Sequence, residues 1–193
     1  MAYQIYTTDA LVCGTYRRNT ADAAYALLTA EAGLVYATAR SVREERSRQR
    51  YALQDFSVVR VSLVHGKAGW RIGSVDSATN FYHQATTRAQ RGAVVQTVKI
   101  VRRFVPAEGN LPDIFAHTKA VLDRVATISD EDIPWLVRHY ELWLLYTLGY
   151  IAKSMIPAIV SLDTPPAAWH SPPDSVQVQI ADIIAAATTA SQL

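Results

Sequence analysis

The stretch from Leu34 to Leu63 constrains this chain more than any other. Phe56 to Val64 alternates: Val59, Val61 and Leu63 fall on one face, and Arg60 and Ser62 fall on the other. That period of two marks a strand with one buried side. Leu34 to Ala39 is a second run of β-formers and small apolar residues. Between the runs sit Arg40, Arg43, Arg46, Arg48 and Arg50, against only Glu44 and Glu45. So many guanidiniums cannot be buried together, so a solvated loop must join the strands. A stiff β-platform carrying mobile arginines suits a polyanion. The competing reading is a charged loop with no partner.

Charge distribution favours the polyanion. The net charge of the 193 residues is only +2. Residues 1–105 nonetheless carry +8 and residues 106–193 carry −6. A basic half joined to an acidic half points to a polyanionic partner for the first half, or to attraction between the halves. No apolar run approaches the roughly 18 residues of a membrane span. The start of the chain lacks the basic and apolar regions of a secretory signal. Cys13 is the only cysteine, which fits a reducing cytoplasmic setting and precludes an internal disulfide.

Further strands flank this centre. Tyr3 to Tyr16 reads as a first strand region, and Arg17-Arg18-Asn19 as a turn. Ala21 to Ala32 is alanine-rich and admits helix or strand. Gly33 after it fits either a helix end or a hairpin turn. His65 to Gly69 is a glycine-bearing turn with Lys67, and Trp70 to Val75 is the fifth strand. Five short strands within about the first 76 residues suggest a small barrel of the OB kind, a class that commonly binds single-stranded nucleic acid.

The pattern changes after Ser77. Val94, Val98, Val101 and Val105 recur at helical spacing, although their branching also allows a strand. Ile114, Thr118, Val121, Val125 and Ile128 make one helical stripe. Ser129 to Asp132 reads as an N-cap with acidic first-turn residues. The helix from Ile133 to Leu148 is apolar on nearly all sides, which places it at the centre of a bundle. Gly149 ends it. Ile151 to Val160 reads as a further helix or half-helix interrupted at Pro157. Asp163 to Pro173 is a proline-rich loop. Asp174 and Gln177 fit a capping box before a last helix containing Val176, Ile180, Ile183 and Ile184. The expected fold is α+β: an N-terminal five-stranded OB-fold barrel over residues 1–78, then a C-terminal α-helical bundle over residues 79–193.

Several segments resemble, in order, the bacterial recombination mediator RecO. They are Thr8 to Val12, Leu27 to Val35, the basic hairpin from Ala39 to Arg43, the stretch from Arg50 to Phe56, and Tyr140 to Tyr150 with its closing leucine-glycine-tyrosine. The resemblance implies an OB-fold followed by helices. It also implies binding of single- and double-stranded DNA, annealing of complementary strands, and cooperation with RecR and single-strand-binding protein to load RecA. A non-enzymatic role in DNA repair and recombination follows, in the bacterial cytoplasm at the nucleoid, with no membrane association. Asp55 stands where the family usually has proline. The segment from Ile151 to Pro157 has no cysteine, whereas many members carry a four-cysteine zinc module there. A structural zinc site needs about four sulfur or nitrogen ligands, so no metal or other cofactor is expected.

The candidate DNA-contacting residues are Arg17, Arg18, Arg40, Arg43, Arg46, Arg48, Arg50, Lys67 and Arg71, all as phosphate ligands. Tyr36, Tyr51 and Trp70 are candidate stacking surfaces for bases, with Tyr51 preferred because it adjoins Arg50. The scattered histidines, the Asp130–Asp132 run and the Asp9/Cys13 pair do not compose a catalytic or metal-binding pattern, and there is no phosphate-binding glycine motif. Two other readings compete: a protein-interaction adaptor built on a degenerate OB barrel, and an RNA-binding OB protein.

Overall fold

A computed structural model of the chain describes residues 4–107, 109, 112–162 and 170–190. It divides into two compact units. The first comprises residues 1–84 and 106–116, and the second residues 85–105 and 117–193.

The first unit is a closed five-stranded barrel with strand order β1-β2-β3-β5-β4. The strands are β1 (Gln4–Arg17), β2 (Ala23–Thr29), β3 (Gly33–Ala39), β4 (Ser57–Gly66) and β5 (Gly69–Asn80). Strand β1 serves two neighbours. Its first part pairs with β4 and its second with β2, both antiparallel. A short parallel pairing, Ala37 with Trp70 and Thr38 with Arg71, closes the barrel. Val59, Val61 and Leu63 point inward with no exposed surface, as the alternation required.

The alanine-rich segment is strand β2. Ala23, Tyr25 and Leu27 alternate into the core beside Ala37 and Ala39, so pairing on both sides overrides the helical preference of alanine. Gly33 is then a hairpin glycine at φ 67°.

The arginine segment is less open than its sequence suggests. Val42 and Leu53 both belong to the barrel core. They bracket the segment and anchor it at each end. Between them lies a short helix, α1 (Gln49–Ala52), whose Gln49 amide donates to the Gly73 carbonyl on β5 at 2.8 Å. After Leu53 comes a tight turn, in which the Ser57 N–H donates to the Gln54 carbonyl at 3.1 Å and Phe56 has φ 71°. Asp55 occupies the second position of this turn, where proline is favoured when the third residue has positive φ. Its departure from the family pattern leaves the turn intact, and its carboxylate accepts the Thr15 hydroxyl at 2.6 Å.

After α2 (Phe81–Gln84) the helices follow: α3 (Arg88–Phe104), α4 (Pro112–Val125), α5 (Ile133–Thr147) and α6 (Asp174–Ala190). The valine repeat is helical from Val94 to Val101, and Val105 is the extended residue that ends α3. A reciprocal capping box starts α3: Thr87 Oγ1 accepts the Gln90 N–H, and Gln90 Oε1 accepts the Thr87 N–H. In the second unit α5 packs against both α3 and α6, with Leu136, Tyr140, Leu142, Leu144 and Leu145 fully buried.

Three local expectations are corrected. Ser129 does not cap α5. Asp132 occupies the cap position and accepts hydroxyl protons from Ser129 and Ser171, which hold its carboxyl below the usual range. Ile151 to Val160 holds only one 3-10 turn, Lys153–Met155, because the proline at 157 has no N–H to extend a helix. Gln177 does not close a capping box with Asp174; its amide donates to the Pro172 carbonyl instead. Residues 163–169 of the proline-rich loop lie outside the described residues.

Candidate nucleic-acid interface

Antiparallel pairing puts the end of β1, the start of β2 and the end of β3 at one rim of the barrel, since Arg17 pairs with Ala23 and Ala23 with Ala39. Arg17 and Arg18 leave β1 here, and Arg40 leaves β3 here; all three are exposed. The β3–β5 pairing brings Arg71 alongside Thr38, and Arg18 Nη1 donates to the Thr38 hydroxyl at 3.3 Å. Lys67 is exposed in the β4–β5 turn, three residues before Trp70, the partner of Ala37. The cations at the start of the basic segment thus gather with those at 17, 18 and 71.

A clamp of hydrogen bonds fixes that gathering. Asn19 Oδ1 accepts the N–H groups of Ala21 and Asp22, and its amide donates to Asp22 Oδ2 at 3.0 Å. Asp22 Oδ1 accepts the Ser41 N–H at 2.9 Å, where Ser41 has φ 50°. The Arg43 N–H donates to the Ala21 carbonyl at 3.0 Å, and its guanidinium donates to the Asn19 carbonyl. The Ser41 N–H, then the Asn19 amide, then the Arg40 and Arg18 charges hold the Asp22 carboxyl below its usual range. Asp22 therefore stays anionic at the rim and ties the β1–β2 loop to the arginine segment.

The individual arginines differ. Arg46 and Arg48 are exposed on the crossing from the clamp to α1, and Arg50 is exposed within α1. Arg43 is half-buried and engaged by the β1–β2 loop, which makes it a support for the rim. Tyr51 is 64 % exposed, and the Arg50 guanidinium lies 5.2 Å from its ring centroid. Tyr36 is exposed on the outside of β3. Trp70 is half-buried against the barrel core, with His65 edge-on at 4.6 Å.

The outer face of β1 and β4 differs electrostatically. Asp9, Arg60 and Asp76 lie in one cross-strand row, and Arg60 Nη1 contacts Asp9 Oδ1 at 3.0 Å. That arginine sits between carboxylates, whereas along residues 40–50 five arginines meet only two carboxylates, Glu44 and Glu45. A polyanion is therefore attracted to the rim in preference to this side.

Sequence reasoning passed over three features: the Asn19–Asp22 clamp, the Val42 and Leu53 anchors, and Tyr16. The Asn-x-x-Asp spacing is an Asx-turn signal that could have revealed the clamp. Val42, an apolar residue isolated among arginines, could have revealed the anchor. For Tyr16 no sequence signal exists, because its direction depends on a bulge. Among the described residues, no group of three or more His, Cys, Asp or Glu is placed to hold a metal ion.

Residues 1–80 match the family model described as Recombination protein O N terminal. Two curated relatives are similar over a longer stretch. Both are named DNA repair protein RecO, from Dehalococcoides mccartyi strains 195 and CBDB1. Each is 24 % identical over 145 residues, covering 75 % of this chain and 56 % of the relative. The chain therefore matches little more than half the length of these relatives. The ordered resemblance to RecO found in the sequence is borne out.

Proposed function

We propose that this chain, whose residues 1–80 match the RecO N-terminal family model, is a RecO-like protein that binds DNA through the cationic rim of its barrel in repair and recombination. The observation that carries this reading is the gathering of Arg17, Arg18, Arg40, Arg71 and the crossing segment Arg46–Arg50 at one region, with a neutralised face elsewhere on the same barrel. Such a rim binds phosphates of single and double strands alike. Annealing needs only charge neutralisation and bases left open to a second strand, so the protein acts without catalytic turnover. It works with RecR and single-strand-binding protein in loading RecA, in the cytoplasm at the nucleoid. The printed name of the relatives, DNA repair protein RecO, supports the role in repair.

The test is fluorescence anisotropy with single-stranded DNA across a salt series. The wild type is compared with a variant in which Arg46, Arg48 and Arg50 are Ala. Each lost phosphate contact lowers the slope of log K against log salt by about 0.7, so the variant's slope falls by about 2. Absent or salt-insensitive binding refutes the reading.

An adaptor role is the second reading. It draws on a cavity of about 430 Å³ in the helical unit, lined by Tyr146, Lys153, Ile156, Pro157 and neighbours. Recovery of a stable protein partner with no retention of DNA favours it. Competition between RNA and DNA separates the RNA-binding reading from the first.

A further inference from the structure

Helix α3 carries a second group of cations, which the reading of the barrel does not use. Its 17 residues include Arg88, Arg91, Lys99, Arg102 and Arg103, and no carboxylate. The rest of the second unit's charge, over residues 117–193, is −4. Helix α3 is thus the cationic element of an otherwise acidic unit.

Helical geometry puts these cations on one side. Steps of three and four residues lead from Arg88 through Arg91, Val95 and Lys99 to Arg102, which is one stripe of a helix. Burial agrees. Arg88, Arg91, Gly92, Gln96 and Lys99 are exposed, whereas Gln90, Val94, Thr97, Val98 and Val101 form the buried side. From Arg88 to Lys99 the stripe rises about 16 Å, at ~1.5 Å per residue.

Two observations separate this stripe from an ordinary solvated helix face. The first is charge placement. Arg88 and Arg91 stand at the start of α3, the positive end of the helix dipole, where cations are unfavourable. Asp130 reaches this end, but it accepts the Thr87 hydroxyl at 2.9 Å. Among the described residues, Arg88, Arg91 and Lys99 form no ion pair, whereas Lys119 on α4 is paired with Asp123 at 2.7 Å. The helix itself gains nothing from its two leading arginines. The second observation is Gly92, which lies between those arginines and Lys99. Glycine is the poorest residue after proline for a helix interior. A Cβ at Gly92 would meet nothing within 4 Å, so no packing contact of the folded chain calls for glycine there. A bare position on an open helix face lets the backbone of another molecule come close.

The chemistry of the stripe selects its ligand. It has no aromatic ring, so it does not engage bases by stacking. Its length matches about five phosphate steps of one duplex strand, at ~3.4 Å each. A phosphate backbone also accounts for Gly92, since it approaches a helix most closely where no side chain stands. Arg102 and Arg103 extend the row, but they complement the carbonyl end of α3, and the charge of Arg103 is shared with Glu141. The site does not depend on them.

We propose that Arg88, Arg91 and Lys99, with Gly92 as the point of closest approach, form a second phosphate-backbone site for DNA on the helical unit. This rests on the reading of the barrel as a DNA-binding domain and adds a second strand to it. With a phosphate site on each unit, one chain holds two strands at once, which annealing requires.

The test uses the full chain with Arg88, Arg91 and Lys99 all changed to Ala. A charge-keeping variant has Arg88 and Arg91 changed to Lys and Lys99 changed to Arg. The probe is a fluorescent duplex of about 8 base pairs, long enough to cover the stripe. At low salt and saturation the wild type and the charge-keeping variant bind two duplexes per chain, and the Ala variant binds one. The Ala variant also anneals complementary strands at least tenfold more slowly. If the Ala variant does not fold, Gly92→Glu takes its place with the same expectations, since it sets a carboxylate into open space on the stripe. A wild type that binds one duplex overturns the second site and leaves the barrel reading standing. So does a folded variant that still binds two. Unchanged annealing by a variant that binds one duplex overturns the two-strand role. Wild-type protein that binds no duplex and no single strand overturns the DNA-binding reading itself, and this site with it.

Discussion

Replacing Gly33 by Ala tests whether the segment at 106–109 is seated on the β2–β3 hairpin. Gly33 has φ 67°, and an Ala there costs about 1–2 kcal/mol in backbone strain. A Cβ at this position would also overlap the Gly109 carbonyl oxygen and stand 3.1 Å from the Gly109 nitrogen. Those are backbone atoms, which cannot rotate aside. The segment must move, and it then loses the Gly109 N–H bond to the Ala32 carbonyl and the bridge between Leu34 and Ala107. Each such bond contributes about 0.5–1.5 kcal/mol, so the total cost is about 2–5 kcal/mol. Gly69 supplies an internal control. It has φ 90°, but nothing lies within 4 Å of its Cβ position, so its Ala variant bears strain alone, about 1–2 kcal/mol. Urea unfolding of both variants measures the difference, and hydrogen exchange at the Gly109 amide locates it. Equal destabilisation by the two substitutions, with Gly109 exchange unchanged, refutes the reasoning.

Two further outcomes follow from buried groups. Leu53→Ala removes one of the two apolar anchors of the arginine segment. It costs about 3 kcal/mol and speeds tryptic cleavage at Arg46 and Arg48; unchanged cleavage would mean that the segment is held by other contacts. Burial lowers His139 from 6.5 to about 4, against the partial opposition of the Ser161 carbonyl, and lowers His117, stacked 3.7 Å from Trp143, to about 4 as well. Both are neutral when folded, whereas the unfolded chain takes up protons from about pH 6.5 downward. Stability is therefore complete above that pH and falls as pH drops from about 6.5 towards 4, by about 3 kcal/mol at most for His139. Urea midpoints between pH 7 and 4.5 should fall less steeply in His139→Gln; identical slopes would dissociate the acid sensitivity from this histidine.

Much of the architecture was legible because it follows from local periodicity. The alternation of Val59, Val61 and Leu63 needs only one buried face, and the stripe from Ile114 to Val125 needs only one apolar side of a helix, whereas Ile128, expected on the same stripe, is buried in the turn after it. The five guanidiniums of residues 40–50 required a largely solvated segment for the same kind of reason: their desolvation cost is intrinsic to the residue type. Helix starts were less legible. Ser129 and Asp174 have the composition of caps, but Asp132 and the prolines at 172 and 173 compete for the same bonds.

The chain's chemical character and most of its strands and helices were thus determined by the sequence alone, because both rest on side-chain preferences that act over a few residues. Tertiary structure decided which cations stand together and which way the aromatics face. Arg18 and Arg71 are both brought to Thr38 only because β3 and β5 pair in parallel. Ala23 to Thr29 of the alanine-rich segment became a strand only because β1 and β3 both offered it partners. Tyr16 turns outward only because one residue of β1 is left out of register. Each of these depends on pairing between segments distant in the chain, and no local pattern encodes the register in which they meet.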